Sequence, residues 1–310
     1  MVVSVLALLS FQRIRRIHMG VLLLDQPWQQ QLDPYDCASE VVVSNYMNRF
    51  LSALICAILL PLPAAAEQEA QTEALAAEAQ NPVANLVSVP FQYNLTPGIG
   101  PNENQTQSLL NIQPVVPFSL SPDLTLVTRT ILPVLSQPTA TGNQNGIGDL
   151  NPSFFFVPKG RGAWTIGFGP TLVLPTASDS SLGRGKWSAG PAAVAVYSKG
   201  PWVAGALVNN IWSFAGNSDR SSVSAFLLQP FINYNLRQGW YLVTAPIVTA
   251  NWRAASGDQW ILPVGGGVGR LFRIGKQPIN ASLQAYANVV KPDIFGDVTV
   301  RAQIQFLFPK

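Results

Sequence analysis

The side chains that most often run chemistry are almost missing from the body of this sequence. His18 is the single histidine, and Cys37 and Cys56 are the two cysteines; all three lie before residue 67. A hydrolase needs a positioned base, usually histidine, to activate its nucleophile. Residues 67–310 supply none. Asp149, Asp179, Asp219 and Asp258 stand singly among turn-forming residues, where a carboxylate bonds its own backbone or is solvated. No spacing makes a metal cage, although clustered loop carboxylates can hold Ca²⁺ weakly. The glycine run Gly265–Gly269 lacks the following helix and the Lys-Ser/Thr pair of a phosphate loop, so it reads as strand glycine. The expectation is a protein with no enzyme active site, no cofactor and no metal.

What remains is polar side chains that recur at every second position. In 164–175 the even positions Trp164, Ile166, Phe168, Leu172 and Leu174 are apolar, while Thr165, Gly167, Gly169 and Thr171 fall between them. In 297–308, Val298, Val300, Ala302, Ile304, Phe306 and Phe308 alternate with Thr299, Arg301, Gln303 and Gln305. In 278–290, Ile279 to Val289 alternate with Asn280, Ser282, Gln284, Tyr286 and Asn288. Successive side chains of a strand point to opposite faces, so each such segment has one apolar and one polar side. Twelve strands are expected, at 85–93, 106–119, 124–135, 149–157, 164–175, 187–197, 201–214, 222–235, 240–251, 259–272, 278–290 and 297–308.

Composition gives these strands their setting. Charged residues are 11% of the chain, against ~25% in a typical soluble domain. Mean hydropathy is +0.21, yet beyond the N-terminus no apolar run approaches the ~20 residues of a spanning helix. The net charge of +3 comes without a basic cluster in the body, so nucleic acid is not an expected partner. Short polar or Gly-bearing turns follow the even strands, and longer links, notably 94–105, 136–148 and 176–186, follow odd ones. That alternation is the habit of bacterial outer-membrane barrels. The tryptophans agree: Trp164, Trp187, Trp202, Trp212, Trp240, Trp252 and Trp260 all fall near strand ends. Ten to twelve residues of a strand tilted ~40° span roughly 25–30 Å, which sets aromatic rings at both membrane interfaces. The expected fold is all-β: a closed antiparallel transmembrane β-barrel of about 12 strands in the bacterial outer membrane. Its partners would be outer-membrane lipid and the outer-membrane assembly machinery. A secreted soluble β-sandwich also alternates, but it leaves the low charge, the tryptophan placement and the loop lengths as coincidences.

Two features resist this reading. Pro114, Pro133, Pro170, Pro191, Pro230, Pro246 and Pro263 lie inside expected strands, where each removes a ladder donor; bulges in the wall are one answer. Arg270 shares the parity of Trp260, Leu262 and Phe272, which aims it at lipid. Either a bulge in Gly265–Gly267 resets the register or Arg270 snorkels to the interface.

The N-terminus carries its own signals. Met47-Asn48-Arg49-Phe50, the apolar run Leu51–Leu62 and Ala64-Ala65-Ala66 make a signal peptide over 47–66, cleaved before Glu67. Residues 1–46 place an apolar run before the cluster Arg13, Arg15, Arg16, the reverse of a signal, and read as a non-native upstream extension. Residues 67–84 would be a periplasmic lead-in, a short helix or disordered. The barrel is then 85–310, without cysteine and so without a disulfide framework.

By parity Asn111, Gln113, Arg129, Thr171, Asn209, Gln229, Asn233, Asn280, Gln284, Asn288, Arg301, Gln303 and Gln305 face the lumen. They could fill and hydrogen-bond a non-conducting barrel with a structural or adhesive role, displaying loops 136–148 and 176–186, or they could line a path for a small-molecule solute. In the second case Arg129 and Arg301 favour neutral or anionic solutes.

Several stretches carry a resemblance: NPVANLVSVPFQYN (81–94), LNIQPVVPFSL (110–120), RTILPV (129–134), GIGDLNPSFFF (146–156), LPTASDSSLGRGKWSAGP (174–191), KGPWVAGALVNNIWSFAG (199–216), QPFINY (229–234), KQPIN (276–280) and LFPK (307–310). Together they are similar to a bacterial outer-membrane transporter family of the phenol meta-pathway degradation type, often labelled neuromedin U in bacterial genomes. The likeness covers nearly all of 81–310, with only scattered matches over 237–275. It implies an outer-membrane barrel that takes up small organic, including aromatic, compounds; it carries over no site residues.

If translation begins at Met47, N-terminal sequencing of protein from its own host finds no residue before 47, and a peptide from 20–46 would refute that start.

Overall fold

This computed structural model describes residues 66–140, 142–160 and 162–309, with side chains from residue 71 onward. The upstream extension (1–46) and the signal peptide (47–66) lie outside the described residues except for Ala66.

One helix, α1 (Ala66–Ala79), precedes fifteen strand segments: β1 (Val87–Ile99), β2 (Gln105–Ile112), β3 (Val115–Ser121), β4 (Leu124–Thr139), β5 (Gly142–Ile147), β6 (Asn151–Pro158), β7 (Trp164–Val173), β8 (Lys186–Lys199), β9 (Trp202–Gly216), β10 (Ser224–Asn235), β11 (Trp240–Thr244), β12 (Val248–Asn251), β13 (Trp260–Ile274), β14 (Gln277–Val290) and β15 (Val298–Phe308). Three pairs of segments are single wall strands with a break. Both β2 and β3 pair with β1 and β4, both β5 and β6 pair with β4, and both β11 and β12 pair with β10 and β13. The wall therefore has twelve strands, all antiparallel to their neighbours. It closes where β1 meets β15, from Val87↔Phe308 to Leu95↔Val300. Every strand has two neighbours, so no edge is left to pair elsewhere. No described helix is long and apolar enough to cross a membrane; the crossing is made by strands.

The expected links at 94–105 and 136–148 are shorter than composition suggested. β1 runs on to Ile99. β4 runs to Thr139 and returns at Gly142 in a tight hairpin, with Thr139↔Gly142 as its last pair. The polar run Gln137–Gly146 resembles loop because above the membrane neither face needs to be apolar. The ladder continues there on backbone bonds alone. Residues 136–139 and 142–147 are therefore wall and not a displayed loop.

Side-chain parity divides oil from interior. Ile166, Phe168, Val264, Val268 and Val289 are exposed on the outer face, as are the ring pairs at its two rims. On the rim that carries the start of β1, the end of β15 and the short turns, Trp164 packs on Tyr197 (5.2 Å between ring centres) and Trp202 on Tyr234 (4.7 Å). Trp240 starts β11 at this rim. At the opposite rim, Trp252 meets Trp260 at 5.2 Å with Phe226 beside both, and donates from Nε1 to Asn210 Oδ1 at 2.8 Å. Trp187 and Trp212 complete that rim, 44% and 51% exposed. Two aromatic girdles flanking an apolar band mark a barrel built for a bilayer, with the start of β1 and the end of β15 on the side of the short turns, the periplasmic side of such barrels.

The prolines find their reasons in the breaks. Pro114 separates β2 from β3, and Pro246 separates β11 from β12. Pro133 accepts from Gly148 N at the break between β5 and β6. Pro263 follows a register shift at Leu262. Pro230 lies opposite Pro246, between the pairs Leu228↔Val248 and Ile232↔Thr244, so two residues without N–H share one gap in the ladder. Pro170 and Pro191 likewise face each other. The register shift at Leu262 leaves Val289 as the extra residue on β14, so β13 keeps its parity and Arg270 stays on the outer face. Arg270 pairs with Trp240 across the strands and lies over its ring at 5.1 Å, which places its charge at the periplasmic girdle as a snorkelling arginine would be.

Gly267 shows how closely the wall is wound. A β-carbon there would lie 1.9 Å from Leu283 O and 2.6 Å from Gln284 Cα, both backbone. Gly267→Leu should cost about 2 kcal/mol or more through overpacking, and should lower the temperature at which the folded band converts on a heat-modifiability gel.

Candidate functional site in the barrel lumen

The inner face is not uniformly polar, as parity alone suggested. Its two sides differ. On one side β14, β15 and β1 present amides and arginine. On the other, Val127, Phe155, Val194, Val196, Val203, Leu207 and Phe231 form an apolar cluster inside the barrel. Register shows that these residues point inward: Val127 pairs with Phe155, and Ala193, one residue before Val194, shares the lipid parity of Phe168. The signal was present in the continuous apolar run Phe154–Val157, the pattern of a strand buried on both faces.

The lead-in occupies the periplasmic end. Ala, Glu and Gln are strong helix formers, and α1 has little else. Pro82 stops it, and Asn81 Oδ1 accepts from Val83 N at 3.0 Å to make the turn. Leu75, Ala76 and Ala79 then dock, with Ala84 and Leu86, on the inward-facing Leu271 and Leu307. Gln80 and Asn235 exchange side-chain bonds of 2.8 and 3.2 Å, and Gln305 Nε2 donates to Ala79 O at 3.4 Å. Val83, 2% exposed, enters the apolar cluster beside Val115. Residues 78–86 thus lie inside the barrel rather than below it.

Above them is a cavity of about 140 Å³. Gln113, Arg129, Gln229, Asn233, Asn280, Gln284, Arg301, Gln303 and Gln305 line it, together with Leu207, Phe231, Tyr241 and Val243. Of the other four residues assigned to the lumen by parity, Asn111 pairs with Gln92 and Asn209 with Leu227, both on inward parity. Thr171 is buried against Ser153 Oγ (2.8 Å), and Asn288 donates to Gly296 O at 2.7 Å. These four lie apart from the cavity.

The amides mostly serve one another. Gln92 Nε2 donates to Gln303 Oε1 (3.2 Å), Asn280 Nδ2 to Gln305 Oε1 (3.1 Å), and Tyr241 Oη to Asn280 Oδ1 (2.8 Å). Tyr286 Oη donates to Gln284 Oε1 and accepts from Ala245 N at 2.9 Å. Arg301 donates from Nε to Asn94 Oδ1 (2.9 Å) and from Nη1 to Ala245 O (2.7 Å), with its guanidinium 5.0 Å from the Tyr286 ring centre. Arg301 and Tyr286 therefore satisfy the peptide groups that Pro246 removes from the ladder. Tyr241, Tyr286, Gln92 and Asn94 were not among the lumen residues assigned from sequence. All four had inward parity; Asn94 lay one residue past the expected end of its strand, and Tyr241 is aromatic among amides. Arg129 differs from Arg301. It is half-buried, and its one side-chain partner is Gln113 Oε1 at 2.5 Å.

At the outer mouth, the link between β7 and β8 folds onto the inner side of the β4–β5 hairpin. A β-carbon on Gly146 would meet Ser178 Oγ and Leu182 Cδ1. Asp149 pins this link, accepting from Ala177 N (3.2 Å) and Arg184 N (2.7 Å). Within the link, Ser181 donates through its N–H and hydroxyl to Asp179, which holds that carboxyl below its ordinary value. Asp219 and Asp258 lie in separate outer turns, bonded through their own N–H groups to Asn217 Oδ1 and Ala255 O.

A crystal structure of an outer-membrane channel from Pseudomonas putida F1 is similar to this chain with a TM-score of 0.55 at 17% identity, over 72% of this chain and 94% of that one. The NanC porin follows at 0.46 and 10% identity, over 72% and 100%. Outer membrane phospholipase A from Escherichia coli gives 0.39 and 13%, over 72% and 92%. No family model and no curated protein matches the sequence. The fold is that of a bacterial outer-membrane β-barrel. Closure, the apolar band and the two girdles place this chain in that membrane.

Asp149→Ala should free the 176–185 link, so that trypsin cuts the folded barrel after Arg184 several times faster. Asp149→Asn, which keeps one acceptor, should fall between the two.

Proposed function

We propose that this protein is a passive outer-membrane channel or transporter for small organic solutes, held nearly closed at the periplasmic end by its own lead-in. The observation that carries this reading is the amphiphilic cavity. A barrel packed only for strength would fill its interior, whereas this one keeps about 140 Å³ lined by amides, two guanidinium groups and apolar side chains. Solute recognition commonly uses such a pairing of apolar lining with a few placed polar groups. The resemblance of 81–310 to transporters of the phenol meta-pathway type supports the same reading and adds aromatic compounds to the solutes worth testing. The protein acts without bond chemistry in this account. The plug favours a second reading, a non-conducting structural barrel, in which α1 and Val83 are permanent core.

The two readings part on conductance. In planar bilayers the channel reading expects small discrete steps, and a marked rise in Val83→Asp, because a carboxylate cannot stay in the apolar cluster and the lead-in leaves. A barrel that folds and passes neither ions nor solute, with Val83 or with Asp there, is structural.

A further inference from the structure

The cavity has a property that amides and hydrocarbon alone would not confer. Two guanidinium groups face it, from β4 and β15. The ion pair found among the described residues is Lys291–Asp297, at 3.2 Å near the outer rim. Glu78 also lines the cavity but is not within ion-pair distance of either arginine. Arg301 is committed: its Nε and Nη1 hold Asn94 and the Ala245 peptide, and it is 4% exposed. It contributes field but few free donors. Arg129 is the opposite case. Guanidinium has five N–H donors, and Arg129 uses Nη2 on Gln113. Its remaining donors form a fork suited to a carboxylate. The neighbouring glutamines and asparagines are largely engaged with each other, so a neutral polyol would have to break those bonds to be held. Leu207, Phe231 and Val243 also line the cavity and offer no polar side-chain group.

We propose that the lumen holds a binding site for a small organic monoanion, with its carboxylate on Arg129 and its hydrocarbon body against Leu207, Phe231 and Val243. This deepens the channel reading and rests on it by naming the solute class. Arg301 is a positioning residue. It holds the Ala245 peptide and adds positive potential without touching the ligand.

Calorimetry on the folded full chain in detergent tests this separately from transport. Pentanoate is the probe, pentanamide its neutral twin, and acetate the headgroup without a body. Pentanoate should bind more tightly than pentanamide by about tenfold or more, the worth of a charge-assisted bond, and more tightly than acetate. Arg129→Gln should bring pentanoate down to the level of pentanamide, and Arg129→Lys should retain part of the difference. Equal affinity of the wild type for pentanoate and pentanamide, no binding of pentanoate, or unchanged binding in Arg129→Gln overturns the proposal. If Arg129→Gln does not fold, the twin comparison and Arg129→Lys decide. A barrel that binds pentanoate but conducts nothing sinks the channel reading instead, and one that conducts without preferring the anion sinks only this site.

Discussion

Every feature of this molecule answers to one constraint: in hydrocarbon, a backbone N–H or C=O finds its partner within the protein or pays several kcal/mol. A closed antiparallel wall meets that constraint because no strand is left at an edge. The register from Val87↔Phe308 to Leu95↔Val300 makes the closure, and the whole interior depends on it. Once the wall is closed, parity assigns one face to lipid and the other to the lumen, and a slip of one residue would exchange them.

The same constraint explains the expensive parts of the structure. Prolines interrupt the ladder at the three broken wall strands, and at each break something else completes the bonding. Pro133 O receives Gly148 N; Pro114 O receives Thr130 N. The largest gap, at Pro230 and Pro246, turns the Ala245 peptide toward the lumen, where Tyr286 and Arg301 meet it. A buried arginine is costly unless its donors are used, and here it is part of the wall's hydrogen bonding. Tyr286 and Arg301 thus belong first to the architecture. Arg129, bonded to Gln113 and open to the cavity, does not have that duty.

The interior itself is only partly packed. A twelve-stranded wall is too wide to be filled by its own side chains and too narrow to be a wide pore. The chain fills part of the difference with residues 78–86 and with an apolar cluster around Phe155. The rest is left as a cavity with unlike walls. That division gives the cavity an amphiphilic lining, with Arg129 set beside Val115 and Val127 of the apolar cluster and Arg301 among the amides of β14, β15 and β1.

The sequence by itself determined the wall: twelve strands, their order, their membrane setting and the tryptophan rims. Alternation is a local property, and lipid enforces it at every second residue. Of the thirteen polar residues that parity assigns to the lumen, nine line one cavity. Three things were decided only in three dimensions. One was the position of Gln137–Gly146, which composition makes loop and cross-strand pairing makes wall. Another was the inward course of residues 78–86, since Val83 finds its partners on strands scattered from Val115 to Phe231. The last was the difference between Arg129 and Arg301. In the sequence they are equivalent inward cations; the break at Pro246 lies next to one and not the other, and contacts so distant along the chain leave no trace in local pattern.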